Sequence, residues 1–288
     1  MKKRIVALSG GIGNQMFQYA FARALQTAKK CEIEFDTDFY GKSRDRKLEL
    51  TSFNIGDYRF GSHPKYNRIR RLVQRIPFIT WMFGCYKEYR EFEVDPRVKN
   101  YDYRFYTGYW QNTGYFSAIS DALRSELKFM GKLTSQEEAW LQRIKTDDII
   151  AIHVRRGDYR SEKIMSKYVT QDEEYYRKAI DKAISIINNS EASLLFFSDD
   201  ISWCRDRFSD YGSAVFVDGK ITGSPLVEML FMQNVKCLVM SNSTFSWWSA
   251  WLSDRNDRFV IAPARWYQDD KMNGKAIRAL IKDDWMLI

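Results

Sequence analysis

A doubly wound α/β fold is predicted by three features of the chain. Its 288 residues exceed what one hydrophobic core usually organises, which points to two domains of ordinary size or one large α/β unit. The first 36 residues read as strand, glycine turn, helix and strand, the opening of a βαβ unit. In the second half, apolar runs recur between helical patterns, as they do in parallel strands covered on both faces.

Taken in order, residues 4–8 (RIVAL) are the first strand, Ser9 to Gly13 the turn, and NQMFQYAFARALQTAKK a helix with apolar residues at helical spacing. CEIEFD follows as the second strand. From about residue 40 to 130, Tyr, Phe and Trp interleave with Arg and Lys. Strand alternation shows only near 101–110, so this stretch reads as helices and long loops. SQEEAWLQRI reads as a helix, with Ser135 and Glu138 at capping-box spacing. The second half then supplies strands at 148–154, 193–198, 214–217, 237–241 and 258–262. Between them lie TQDEEYYRKAIDKAISIINN, with Thr170 and Glu173 as a capping box, and SPLVEMLFMQNV, with Ser224 as N-cap and Pro225 at the first helical position. The polar stretch 131–147 is the expected boundary, dividing the chain into domains 1–145 and 146–288.

Composition narrows the class. Hydrophobic content of 45% and aromatic content of 16% offset the entropy of folding, which excludes a disordered chain. The formal charge of +8 suits an anionic partner: nucleic acid, a membrane surface or a phosphorylated small molecule. Cys31, Cys85, Cys204 and Cys237 are too scattered for a zinc or redox motif and read as buried thiols in a reducing compartment. The apolar run after the basic N-terminus is too short for a signal peptide, and no window reaches the roughly 18 apolar residues of a spanning helix. A cytoplasmic protein is expected. The basic cluster KYNRIRRLVQR, residues 65–75, could rest peripherally on an anionic inner membrane face, the commoner alternative being a solvated helix.

The chemistry is expected where the strands end, because ligands of open parallel sheets bind outside the carboxyl ends. His153, Arg155, Arg156 and Asp158 follow one strand, Ser198, Asp199 and Asp200 the next, and the segment 241–246 follows the CLVM strand. Guanidinium matches phosphate oxygens bidentately, so if the ligand carries phosphates one arginine is its ligand and the other pairs with Asp158 or a nearby acid; a surface cluster making ordinary salt bridges is the plainer alternative. In SNSTFSWWSAWL, Ser243 and Thr244 fall at a helix N-terminus, where backbone N–H groups favour anions. Simple N-capping is the plainer alternative, and Trp247, Trp248 and Trp251 read as core. GGIGNQMF matches G-x-G-x-x-G only in part: Met16 replaces the last glycine, which leaves Gly13 as a donor-side candidate and brings Asn14 and Gln15 to the rim. Asp36 and Asp38 form a D-x-D of the kind that holds a divalent cation in some enzymes, but the tripeptide is common, and no metal site is assigned. His153, beside two arginines, is a poor base, and His63 reads as a loop residue.

Four ordered blocks, GGIGNQMFQYAFARAL, HVRRGDY, SDD followed by Trp203 and Cys204, and SNSTFSWWSAWL, with GYWQNTGYF between, resemble the α-1,2-fucosyltransferases of glycosyltransferase family 11. Only residues 40–100 lack a matching block. The resemblance implies a GT-B architecture, two Rossmann-like domains facing each other across a cleft, with an acceptor-side first domain and a GDP-sugar-binding second one. It implies inverting, metal-independent transfer of L-fucose from GDP-β-L-fucose to the 2-hydroxyl of a galactose, with no cofactor. The acceptor would be a galactose-terminated glycan or a lipid-linked oligosaccharide. By the same resemblance Arg155 contacts the donor β-phosphate and His153 lies near the guanine. Glu228 accepts from guanine N–H groups, Ser243 and Thr244 hold the pyrophosphate, and Asn14 lies near the transferred sugar. Asp199 joins the donor-side set by its place on the rim. Asp158 ranks just ahead of Glu162 as the base, and Tyr109, Trp110 and Gln111 are acceptor candidates, since rings stack on sugar faces; core packing would explain them equally. Within enzymes, a fucosyltransferase of another linkage or a transferase of another nucleotide sugar stays open; a rival from another class, a basic nucleic-acid-binding protein, predicts steeply salt-dependent binding to any polyanion. The enzyme reading instead predicts saturable stabilisation by GDP, with no nucleic acid partner.

Overall fold

The computed structural model describes residues 1–64, 66, 68, 84–100, 102–157 and 165–288. The chain divides into two compact units, Met1–Met130 and Gly131–Ile288.

In the first unit, β1 (Lys3–Ala7), α1 (Ile12–Lys29) and β2 (Glu32–Asp36) form the expected βαβ opening, with β1 and β2 parallel. Three further strands complete the sheet: β3 (Arg59–Gly61), β4 (Cys85–Lys87) and β5 (Phe105–Thr107). Their order is β3-β2-β1-β5-β4 and every pairing is parallel. The stretch read as helices and loops thus contains two strands, β3 and β4, beyond the one anticipated near 101–110. At three residues each they are too short to show a two-residue period, so neighbours in the sheet define them. Helix α2 (Arg97–Asn100) lies between β4 and β5 in the chain, and α3 (Ser120–Glu126) follows β5.

The second unit opens with α4 (Ser135–Thr146), which packs on a later helix, α7 (Pro225–Asn234). The division at 130 therefore falls at the start of the polar stretch rather than at 145, and α4 goes with the second unit. A buried hydrogen bond, Thr222 Oγ1 donating to Glu137 Oε1 at 2.6 Å, secures it there. Its capping box is Thr134 with Glu137, one residue before the expected pair, because Thr134 is the last extended residue (ψ 160°).

The strands β6 (Ile149–Val154), β7 (Ser193–Ser198), β8 (Ala214–Phe216), β9 (Cys237–Val239), β10 (Phe259–Ala262) and β11 (Met286–Leu287) lie in the order β11-β10-β9-β6-β7-β8. Counted along this unit, that is the doubly wound order 3-2-1-4-5-6. All six residues of β6 are buried at the centre, which is why the run 149–154 is continuously apolar up to His153. Helices α5 (Glu173–Ile187), α6 (Ile201–Phe208), α8 (Thr244–Trp251) and α9 (Asp270–Leu280) complete the layers with α7. Helix α5 is capped by Asp172, which accepts from Tyr175 N at 2.9 Å, two residues beyond the expected Thr170. Helix α7 begins as expected, with Ser224 at the N-cap position and Pro225 next. The four cysteines are free and buried. Among the described residues, no helix is long and apolar enough to cross a membrane.

Candidate active site

In the second unit, β6 is the strand at which the order reverses, and β6 and β9 are neighbours at the switch point. His153 leaves β6 and Ser241 follows β9, and a hydrogen bond of 2.8 Å joins His153 Nδ1 and Ser241 Oγ. His153 is only 5% exposed. Burial, helped by the Arg155 charge, holds its imidazole neutral and its pKa down to about 3.

That shift has a stability consequence of definite sign. A histidine whose folded pKa lies below its unfolded value of 6.5 costs nothing above pH 6.5, but it destabilises the protein as pH falls from there toward 3, by about 1.4 kcal/mol per pH unit. Urea unfolding at pH 6.5 and pH 4.5 should show a steeper loss for the wild type than for His153→Gln. Equal slopes would mean that His153 charges in the folded state.

After Val154 the chain turns, and Asp199, directly after β7, holds the turn. Its Oδ1 accepts from Arg156 N at 2.9 Å and its Oδ2 from Gly157 N at 3.0 Å, while Arg155 Nη1 lies 2.9 Å from Oδ2. A Cβ at Gly157 would sit 2.7 Å from Asp199 Oδ2, so only glycine lets the carboxylate approach. The two arginines are thereby given different work. Arg156 stacks over the Trp203 ring at 4.0 Å and faces Asp200 Oδ2 at 3.5 Å, while Arg155 faces Asp199 at the strand end, the two side chains being 21% and 23% exposed. The sequence expectation is one arginine paired and one for phosphate; in the structure both face acids, and Arg156 also lies over Trp203.

Ser243 is the N-cap of α8, its Oγ accepting from Phe245 N at 3.3 Å, and Thr244 is the first helical residue. The first turn of α8 has fewer intrahelical acceptors than amides, one of which Ser243 takes, and such helix ends are suited to an anion. Trp247 and Trp248 are fully buried and Trp251 nearly so, as expected of core. Glu228 lies in the first turn of α7, which packs on α8. Burial pushes its carboxyl up to about 7, and among the described residues no hydrogen bond or ion pair satisfies it. An acid in that state is suited to accept N–H donors from a ligand.

The first unit repeats the arrangement at its own switch point, between β1 and β5. Gly10, at φ +79°, turns the chain from β1 into α1, and a Cβ there would meet Asn14 Nδ2 at 2.6 Å. Gln111 Nε2, following β5, donates to Asn14 Oδ1 at 2.9 Å, so two residues singled out separately meet. Tyr109 is 44% exposed. Trp110 is not available to a sugar: it is fully buried and stacked on Phe21 at 3.8 Å with 5° between the planes. Its aromatic character reflects core packing, which its neighbours in sequence conceal. Gly13 is buried in the first turn of α1 rather than in the glycine turn.

The glycosyl transferase family 11 model matches residues 6–288. The chain belongs to glycosyl transferase family 11. An alpha-1,2-colitosyltransferase of Escherichia coli is 28% identical over 285 residues, 93% of this chain and 94% of that protein. The galactoside 2-alpha-L-fucosyltransferase Sec1 of Mus musculus is 25% identical over 188 residues, 63% of this chain and 49% of its own. Among solved structures, a variant of Arabidopsis thaliana FUT1 in complex with GDP has a TM-score of 0.52 at 12% identity, over 92% of this chain and 70% of that one, a likeness of fold.

Within the family 11 chain, the candidate bases Asp158 and Glu162 and nearly all of the basic 65–75 segment lie outside the described residues. The D-x-D acids serve the fold: Asp36 Oδ1 accepts from His63 N at 3.1 Å, and Asp38 pairs with Lys42 and accepts from Ser62 Oγ. Gln15, expected at the rim, is instead fully buried on α1, and a second fully buried glutamine there, Gln18, carried no expectation. Gln15 accepts from Glu49 N and Leu50 N, and Gln18 bridges Ser9 to Gly108 O at 3.0 Å. Polar amides on an otherwise apolar helix face were the available signal. Glu88, which accepts from Tyr109 N at 2.6 Å, carried none, because its partners lie 21 residues away.

Proposed function

We propose that this family 11 glycosyltransferase transfers L-fucose from GDP-β-L-fucose to the 2-hydroxyl of a terminal galactose, with inversion and without a metal ion. The observation that carries the reading is Arg155, held at a strand end by Asp199 beside the His153–Ser241 bridge. Fucosyl transfer breaks the bond from the sugar C1 to the β-phosphate oxygen as the acceptor oxygen bonds C1 from the opposite face. Negative charge collects on the departing GDP. A cation fixed at that phosphate is worth more in the transition state than in the ground state, which is the condition for acceleration. The α8 N-terminus with Ser243 and Thr244 would hold the pyrophosphate. Neutral His153 and the unpaired Glu228 carboxylate would meet the guanine, whose N–H donors favour the ionised acid. Asn14 would lie near the transferred fucose, Tyr109 and Gln111 would receive the galactose, as the terminus of a glycan or lipid-linked oligosaccharide, and Asp158 would take its proton.

The relative named for colitosyl transfer favours a second reading, in which the same site takes a colitosyl donor. Incubation with GDP-fucose and a panel of β-galactosides in EDTA, followed by linkage analysis, should give α-1,2-fucosylated product. A parallel incubation with a colitosyl donor should be less productive. Transfer only from the colitosyl donor, or none at all, overturns the fucosyl reading.

A further inference from the structure

We propose that Glu88 is a positioning residue for the acceptor, fixing the turn 108–111 as Asp199 fixes the turn 155–157. The proposal rests on the reading above that Tyr109 and Gln111 meet the galactose. Glu88 directly follows β4, and β4 and β5 end side by side with Lys87 opposite Thr107. Its Oε2 accepts from two consecutive backbone amides, Tyr109 N at 2.6 Å and Trp110 N at 3.1 Å. These are the second and third residues past the end of β5. In the second unit, Asp199 directly follows β7, which ends with Ser198 opposite Val154, and it takes the amides of the second and third residues past β6. The same device therefore stands at both switch points, one on each of the two sheets.

Both copies depend on a glycine. A Cβ at Gly108 would lie 2.5 Å from Glu88 Cβ and 2.7 Å from its Oε2, as one at Gly157 would crowd Asp199. The turn that Glu88 holds is not one the chain adopts freely, since Trp110 has φ +59°, uncommon for a bulky residue. With both amides engaged, the Trp110 ring is directed into the core, Tyr109 is left outside and Gln111 reaches Asn14. Gln18, donating to Gly108 O, holds the turn from its other side. Burial raises the Glu88 carboxyl above its usual range while the two amides pull it back, consistent with an anchored rather than a solvated acid.

The test uses the full chain with a GDP-fucose donor and a β-galactoside acceptor. Because one oxygen takes both amides, Glu88→Gln keeps the anchor and should leave the acceptor KM within about threefold of wild type. Glu88→Ala orphans both amides and should raise the acceptor KM at least about tenfold, with a smaller change in kcat and an unchanged thermal shift on adding GDP. Gly108→Ala should reproduce that split and carries the test if Glu88→Ala does not fold. An unchanged acceptor KM in Gly108→Ala, or a large loss of kcat in Glu88→Gln, overturns the proposal; the latter would make Glu88 a proton acceptor. A wild-type chain that transfers nothing sinks the functional reading alone. The turn is then judged by amide hydrogen exchange at Tyr109 and Trp110, slow in the wild type and in Glu88→Gln and fast in Glu88→Ala. Equal rates in all three would overturn it.

Discussion

Arg155→Ala is expected to lower kcat about a hundredfold, a loss of about 3 kcal/mol of transition-state stabilisation, by analogy with removal of one preorganised donor from an oxyanion site. The same change should hardly affect folding. Arg155 and Asp199 are 23% and 24% exposed, and a pair so placed contributes at most about 1 kcal/mol. Asp199 also keeps its two backbone amides when the guanidinium is gone. Turnover at saturating donor and acceptor, measured beside thermal unfolding, therefore separates the two effects: a large fall in rate with a melting temperature near wild type. Arg155→Lys should recover only part of the rate, because an ammonium supplies charge without the planar fork that matches two phosphate oxygens. Near-normal turnover in Arg155→Ala would remove the phosphate role and, with it, the main support for the proposed reaction.

The largest stability effect is expected at Trp110. Truncation to alanine empties a site walled by Phe21, Tyr86 and Tyr115, whose rings lie 3.8, 5.8 and 5.6 Å from the indole. Large-to-small changes of this kind cost about 3–5 kcal/mol, enough to unfold much of a protein of ordinary stability. Trp110→Phe should keep the stack on Phe21, lose less stability and leave the acceptor KM near wild type. Denaturant unfolding monitored by far-UV circular dichroism, together with acceptor titration of the phenylalanine variant, distinguishes a core indole from a sugar platform. A stable Trp110→Ala with a raised acceptor KM would restore the platform.

The two halves were unequally legible for a physical reason. Strands β6 and β7 run six residues each through a sheet covered on both faces, so nearly every position must be apolar and the run stands out in the sequence. Strands β3, β4 and β5 contribute three residues each, and β3 is exposed or half-buried throughout. Their identity comes from pairing with partners distant in the chain, such as Ile5 with Phe105. The misplaced caps have a similar cause: Thr134 beside Ser135, and Asp172 beside Thr170, are chemically competent alternatives, and the backbone path selects between them.

What the sequence by itself determined is the βαβ opening, the parallel architecture of the second half, and the strand end at which Arg155 must emerge. Each depends on local pattern and on the rule that ligands lie past the carboxyl ends of strands. The tertiary structure alone decided which groups meet there. Asp199, singled out at the rim, proved to be the clamp of the arginine turn, Trp110 turned from a suspected platform into core, and Glu88, unmarked in the sequence, into the partner of residues 21 and 22 positions away. A hydrogen bond between chain-distant groups is set by how strands align in a sheet, and that alignment is a property of the folded chain rather than of any short stretch of it.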